Sequence, residues 1–495
     1  MKNNQGENSP SIKKNTLFNV IKTISSIIFP IITFPYISRV LRAENVGKIN
    51  FGNSIVSYFS LIATLGVTTY AVRECSRVKN DKNLLGKIAS QIISINICTM
   101  AFSYFILILC LMFIPVIKDY ELLILIQSVS IIFTTLGADW LNTAMEDFKY
   151  ITLRTFIFQF LALISMFLFV HKPDHYLIYA IISVLSSSGA NITNIFYRRR
   201  YCKVRFTMNM NWKRHFPPII LLFAMLLSQN LLNNLDTTML GIMKGDYQVG
   251  LYTTAVKIIN IVSQVVASIA WVVMPQLSYQ FAQKNYNKIN KLLHDASAFT
   301  VALGLPCIVG INVSAPEIIE IIGGQEYLSA VPCLHILTIS MAIGFLNGIY
   351  GNMILLPSKR EKRFMIACLV SAGVNMVTNY IFIPYFGINA ASAMTVLSSM
   401  VITIIVTSGI EKDIKFGNIM EMFKAPLMGS LGIIVIAIIS KSLISNFWIK
   451  IFVVVACSIT FYVAVLIGMK NEFAMSMLIP IIQRLSKTRR RKSTL

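Results

Sequence analysis

The chain has 495 residues, of which 55% are apolar and only 13% charged, and its mean hydropathy is +0.68. Soluble globular chains carry about 25% charged residues. A soluble multidomain enzyme, a disordered chain and a disulfide-stapled secreted protein are therefore excluded, and an integral membrane protein remains. Lysine and arginine total 44 against 21 acidic residues. In a polytopic membrane protein that excess marks cytoplasmic loops rather than a nucleic-acid surface, so no nucleic-acid partner is expected.

A helix that crosses a bilayer needs ~20 apolar residues. In chain order, stretches of that kind predict fourteen spans: 16–41, 50–71, 88–115, 121–145, 152–170, 175–197, 218–243, 251–275, 296–316, 331–356, 364–386, 390–410, 423–443 and 449–469. Each must be helical, because a backbone in lipid has to satisfy its polar groups within its own segment. The ~10-residue alternating strands of a β-barrel are absent. Lys13 and Lys14 precede an apolar run too long for a signal peptide, so that run is expected to stay as the first span.

Counting basic residues in alternate loops sets the orientation. With the N-terminus inside, 34 of the 44 lysines and arginines fall on inner segments and 8 on outer ones, and Lys22 and Lys257 lie within spans. Both termini are therefore expected in the cytoplasm. Runs such as Arg198-Arg-Arg200 and Arg489-Arg-Arg-Lys492 would hold that orientation and favour anionic lipid.

The longest inner basic loop divides the chain. Expected are an N-terminal six-helix bundle over 1–197, a basic cytoplasmic linker over 198–217, a second six-helix bundle over 218–410, and two further helices with a basic tail over 411–495. Arg39-Val-Leu-Arg-Ala-Glu-Asn-Val-Gly47 and Thr238-Met-Leu-Gly-Ile-Met-Lys-Gly-Asp-Tyr-Gln-Val-Gly250 open the two bundles alike, as parallel repeats would.

No GxxxxGK[ST], HExxH or GxSxG motif is present, and the eight cysteines are scattered without paired spacing. No metal site, disulfide frame or catalytic centre is expected. With most outer loops short, translocation rather than chemistry is the default. Polar residues at membrane depth mark where it would happen. Asn19, Lys22, Ser26 and Thr33 share one face of span one, and Pro30 and Pro35 should bend it. Span seven carries Gln229, Asn230, Asn233, Asn234 and Asp236; span eight carries Lys257, Asn260, Gln264 and Ser268 at spacings of three and four. Asp236 and Lys257 lie at matched depth, ~10 Å from the outer boundary, as Lys22 and Asp139 do from the inner one, so two opposite-charge pairs are allowed. The stripes suggest one shared polar cavity, with Gln229, Asn233, Asn260 and Gln264 as its sugar-compatible lining. Other readings stay open: Lys22 and Lys257 are shallow enough to snorkel, asparagines also glue helices, Asp139 can simply close its span, and Arg39, Arg42 and Lys48 can anchor an interface.

Three stretches resemble a known family. Phe34-Pro-Tyr-Ile-Ser-Arg-Val-Leu-Arg-Ala-Glu-Asn-Val-Gly47, with Asn50-Phe51, Gly66-Val67 and Val72-Arg-Glu74, is similar to the opening of Wzx-type polysaccharide flippases. Gly137-Ala-Asp-Trp140, Glu146-Asp-Phe-Lys149 and Arg154 resemble their fourth span and loop. Leu235-Asp-Thr-Thr-Met-Leu-Gly241, Val249-Gly-Leu-Tyr252 and Ala255 resemble their seventh and eighth. Those proteins belong to the multidrug/oligosaccharidyl-lipid/polysaccharide exporter superfamily. The resemblance implies two six-helix bundles facing each other in a V, and movement of an undecaprenyl-pyrophosphate-linked oligosaccharide to the outer leaflet of a bacterial plasma membrane. It further implies drive from an H+ or Na+ gradient with no cofactor, and polysaccharide polymerase or export machinery as a partner. By the same resemblance, Lys22, Arg39 and Lys257 would form the cationic cavity for the pyrophosphate and Arg42 and Lys48 the outer gate. Asp139 and Asp236 are coupling candidates. Many relatives carry Gly where this chain has Arg42, which puts the turn there in question. A multidrug or cation antiporter on the same fold is the alternative function, and a membrane glycan polymerase or ligase a third.

Overall fold

The computed structural model describes residues 12–410, 413–472 and 474–475. Among them every regular element is helical: α1 (Ile12–Thr64), α2 (Val67–Arg77), α3 (Lys82–Phe113), α4 (Pro115–Lys118), α5 (Glu121–Gly137), α6 (Asp139–Ala144), α7 (Phe148–Phe169), α8 (Tyr176–Val184), α9 (Ala190–Tyr197), α10 (Trp212–Lys244), α11 (Asp246–Ala282), α12 (Tyr286–Val313), α13 (Ala315–Gly323), α14 (Val331–Asn347), α15 (Glu361–Thr407), α16 (Ile419–Leu443) and α17 (Phe447–Gly468). Short π-helical segments, Leu185–Gly189 and Gly348–Leu355, join α8 to α9 and extend α14.

Among the described residues, eleven helices are long and apolar enough to cross a membrane, where hydropathy alone suggests fourteen spans. The difference has local causes. The expected spans 16–41 and 50–71 run together in α1, whose 53 residues would reach ~80 Å if straight. Arg42, at φ 63° and ψ 173°, breaks that helix. Spans 364–386 and 390–410 likewise merge in α15, broken at Gly387. Span four is shorter than expected: α5 ends at Gly137, and Ala138 turns the backbone left-handed (φ 45°) before α6.

Arg42 thus holds the backbone conformation a glycine would supply, although it carries a Cβ. Such a conformation costs a non-glycine residue about 1–3 kcal/mol. Arg42→Gly is therefore expected to raise the thermal midpoint of the purified protein; an unchanged or lower midpoint would show that the guanidinium contributes more than the backbone strain costs.

By packing, the described chain falls into two compact units, through Leu251 and from Tyr252 on. In the first, α1 packs against α3, α5, α7 and α10. The approach of α1 to the α10–α11 turn leaves no space for side chains: a Cβ on Gly47 would lie 1.8 Å from the Asp246 carbonyl, and one on Gly250 1.9 Å from that of Ala43. The segment after α9 is laid along α3, where Ser90 Oγ accepts from Arg205 N (3.1 Å) and Ser94 Oγ from Thr207 N (2.8 Å). Cys202 sits in the core formed with Leu85, Ile88 and Ala89.

In the second unit, α14 packs on α15 and α12 on both α14 and α16. The last two helices are tied to the rest by specific contacts. Tyr462 of α17 donates to the Ala302 carbonyl (2.6 Å). Lys441 of α16 and Lys450 of α17 lie 2.9 and 3.7 Å from the Glu317 carboxylate.

A reporter inserted after Asn211 or after Lys492 is expected to read cytoplasm, and one within 323–328 the outside. A cytoplasmic signal from 323–328 would contradict the nine crossings expected before it, and with them the even total of fourteen and the two-bundle division.

Candidate functional site

The polar residues of membrane depth divide into two groups on α10. Asn230 and Thr238, two turns apart, face α1, and between them Asn234 Nδ2 donates to the Asn230 carbonyl of its own helix (3.1 Å). Thr238 Oγ1 lies 3.1 Å from Tyr58 Oη, 3.0 Å from Ser54 Oγ and 3.0 Å from the Asn234 carbonyl. Ser57 Oγ donates to Asn230 Oδ1 at 3.4 Å. This face is interhelical glue. Gln229 and Asn233 lie beside it on the same helix and are exposed, whereas Asp236 is only 4% exposed, within electrostatic reach of Tyr58. Helical spacing therefore lets one helix bind its neighbour through Asn230 and Thr238 and leave the amides of Gln229 and Asn233 open.

In the second unit, α11 carries the other stripe. Lys257 is half-buried, while Asn260 and Gln264, three and seven residues on, are exposed. Buried Asn375 and Asn379 of α15 bond to each other (2.9 Å), and Tyr252 Oη lies 3.3 Å from Thr395 Oγ1. His335 is satisfied by Asn312 Oδ1 at 2.8 Å.

Three expected cations lie around the break in α1. Arg39 and Arg42 are exposed. Lys48 is paired with Glu44 one turn earlier (3.1 Å) and lies 5.8 Å from the centre of the Tyr176 ring. Nearby, Tyr120 Oη donates to the Asp246 carboxylate at 2.8 and 2.9 Å, and its ring lies tilted against that of Phe51, centres 4.9 Å apart. Burial first, and then the Asp246 hydrogen bond, push the Tyr120 phenol above its usual range, which keeps it a donor. Lys22 lies in α1, but its side chain, like those of Asn19 and Ser26, is outside the described residues.

Asp139, expected at matched depth with Lys22, is held by Arg154 of α7 in an ion pair. Asn142 and Asn194 donate to the same carboxylate oxygen at 3.3 and 3.4 Å. Arg154 also donates to the Ala190 carbonyl (3.0 Å) and lies 5.4 Å from the centre of the Tyr150 ring. The sign and rough depth of Arg154 were visible in the sequence; its choice of partner was not. Nor did any spacing signal Tyr120 with Asp246, or Tyr58 with Thr238, since each pair joins positions more than a hundred residues apart.

Comparison with known proteins gives the arrangement a context. The model of the polysaccharide biosynthesis protein family matches residues 12–281, and a second model, MatE, matches 221–381. A Shigella dysenteriae protein named for O-antigen transport is 22% identical over 384 residues, 76% of this chain and 94% of its own. The capsular polysaccharide biosynthesis protein CapF of Staphylococcus aureus is 22% identical over 399 residues, 78% of this chain and 96% of its own. Among solved structures, the lipid II flippase MurJ in an inward closed conformation superposes with a TM-score of 0.71 at 16% identity, covering 92% of this chain and 99% of that one. At that identity the likeness is one of fold.

Proposed function

From the premise that the chain belongs to the polysaccharide biosynthesis protein family, whose model matches residues 12–281, we propose that it is a flippase for lipid-linked oligosaccharide. It moves undecaprenyl-pyrophosphate-linked repeat units from the cytoplasmic to the outer leaflet of a bacterial plasma membrane, for capsule, exopolysaccharide or O-antigen synthesis. It is a transporter, not a catalyst. The names of the relatives, an O-antigen transporter and a capsular polysaccharide biosynthesis protein, support that substrate class.

The observation that carries this reading in the molecule itself is the exposure of four amides, two in each unit. Gln229, Asn233, Asn260 and Gln264 lie in membrane-spanning helices and are exposed. Amides that serve only to satisfy one another inside a bundle would be buried, as Asn375 and Asn379 are. An amide open at membrane depth is costly unless it meets water or a polar ligand, and a sugar offers the hydroxyls to match.

A pyrophosphate cannot cross hydrocarbon without counter-charge. In this reading Lys22, Arg39 and Lys257 supply it, Arg42 and Lys48 act at the outer mouth, and Asp139 and Asp236 link the cycle to an H+ or Na+ gradient through alternating access. Both termini lie in the cytoplasm, the two bundles divide at 198–217, and a polysaccharide polymerase or exporter receives the product. A multidrug or cation antiporter, the alternative on this fold, finds support in the MatE match over 221–381. It would prefer an acidic cavity, whereas Lys257 is the charge within the amide stripe of α11.

Depletion in the native host tests the proposal. Lipid-linked repeat units should accumulate with surface polysaccharide lost and drug sensitivity unchanged. Intact surface polysaccharide with raised drug sensitivity would favour the antiporter.

A further inference from the structure

The sequence marks Val72-Arg-Glu74 only as part of a resemblance, and the transport reading makes no use of it. In the structure it is the centre of a basic knot. Helices α2 and α10 lie side by side and antiparallel. At one end Gly66, with φ 71°, brings the start of α2 against Leu222 and Phe223, where a Cβ would come within 3.0 Å of the Phe223 backbone. Further along, Tyr70 Oη lies 2.7 Å from His215 Nδ1, and His215 Nε2 lies 3.2 Å from Gln91 Oε1, all buried. At the far end Arg214 reaches Glu74. From Gly66 to Glu74 and from Leu222 to Arg214 are equal steps, each ~12 Å of helix, so the register is consistent throughout.

Three guanidiniums converge on that one carboxylate. Arg77 Nη1 lies 3.0 Å and Arg73 Nε 3.8 Å from Glu74 Oε1, and Arg214 Nη2 lies 3.3 Å from Oε2. The Glu74 side chain is 10% exposed, while those of Arg73, Arg77 and Arg214 are 53%, 67% and 50% exposed. One negative charge thus holds three positive ones, leaving an excess of two. Each guanidinium has five N–H donors in a planar fork. Arg77 and Arg214 each give one to Glu74, and Arg73, 5.6 Å from the centre of the Tyr70 ring, is too far to give any. A structural ion pair would need one arginine, not three mutually repelling ones. The other basic run is used differently: Arg198 donates to the Leu136 carbonyl, and Arg199 and Arg200 lie over Phe196 and Tyr197.

We propose that Arg73, Arg77 and Arg214, gathered on Glu74, form a phosphate site at the inner end of the first unit, which takes the phosphate or diphosphate of a lipid at the membrane surface. A diphosphate esterified to a sugar at one end and a lipid at the other carries one negative charge on each phosphate near neutral pH, matching the excess of two, and phosphate oxygens fit the guanidinium fork. The charge asymmetry of the loops assigns the α2 end to the cytoplasmic side, at headgroup depth. Receipt of the substrate's diphosphate there rests on the flippase reading; the phosphate chemistry does not.

The test uses the full chain in phosphatidylcholine nanodiscs, with three probes. Inorganic pyrophosphate is titrated by calorimetry; undecaprenyl diphosphate and phosphatidylglycerol, each added to the disc, are counted by native mass spectrometry. Pyrophosphate should bind with strong salt dependence, and Arg73→Gln should weaken it about tenfold, the loss of one charge-assisted contact. Because Arg73 gives Glu74 no hydrogen bond, this variant keeps the ties between α2 and α10 even if the triple glutamine variant fails to fold. Glu74→Gln should tighten binding, since it frees a third positive charge. Retention of undecaprenyl diphosphate over phosphatidylglycerol identifies the substrate as the occupant; equal retention identifies a bilayer lipid. No binding of any probe, or Arg73→Gln and Glu74→Gln both binding as the native chain does, would overturn the site. Translocation measured on the same preparation reports separately on the flippase reading.

Discussion

Asp139→Asn is expected to destabilise the first unit by about 3–5 kcal/mol, because it leaves the Arg154 guanidinium buried without a counter-charge. Arg154 is 6% exposed and Asp139 33%, so the two members of the pair are not equivalent. Removing the carboxylate strands a charge that water cannot reach. Removing the guanidinium, as in Arg154→Leu, leaves a carboxylate that retains partial access to solvent and the Asn142 and Asn194 donors. Arg154→Leu should therefore cost less than Asp139→Asn, and the double variant less than Asp139→Asn alone. Thermal unfolding of the purified variants in one detergent orders the three. If the two single losses simply add, the pair is not coupled and this description of its energetics fails. The outcome also bears on transport: a carboxylate engaged by a buried arginine can join a proton or ion cycle only if that pair opens.

Lys257→Gln is expected to lower translocation by about tenfold or more, the loss of one hydrogen bond to a charged group, while leaving the amount of folded protein unchanged. Lys257 is half-buried on α11 in one stripe with the exposed Asn260 and Gln264, so its position combines a fixed charge with a polar face. Lys257→Arg retains the charge and should retain most of the activity, which a purely steric role would not predict. A cysteine at 257, in a background without the native cysteines, should react with a soluble thiol reagent. Full activity in Lys257→Gln would remove Lys257 as a phosphate clamp. Rates for Asp236→Asn, alone and combined with Lys257→Gln, then show whether the two charges act in one step: simple multiplication of the losses would separate them.

Hydropathy and loop charge made the helical class and the approximate position of each long apolar helix legible, because both are composition read along one dimension. Where the reading ran past the structure, a backbone event intervened. Arg42 and Gly387 break helices that are otherwise continuous, and Ala138 ends α5 early, although alanine carries no local signal for a left-handed turn. The amides of span seven were visible as a polar run, but their division was not. Asn230 and Thr238 bind α1 while Gln229 and Asn233 stay open, and only the direction of the neighbouring helix decides which row is which. Long-range partners were illegible for the same reason. Nothing in the spacing of Asp139 favours Arg154 over Lys22, and nothing near Glu74 announces Arg214, 140 residues away.

The central claim is that this chain carries a lipid-linked sugar across a bilayer. The most direct measurement is a leaflet-resolved assay in proteoliposomes: lipid-linked oligosaccharide is placed in one leaflet and its arrival in the other is read by a sugar-binding or sugar-cleaving reagent that cannot cross the membrane. The account predicts transfer that requires the protein, accelerates with an imposed H+ or Na+ gradient, proceeds without ATP, and falls with Lys257→Gln. Transfer no faster than in protein-free vesicles under every gradient, with a cationic drug exchanged instead by the same preparation, would contradict it.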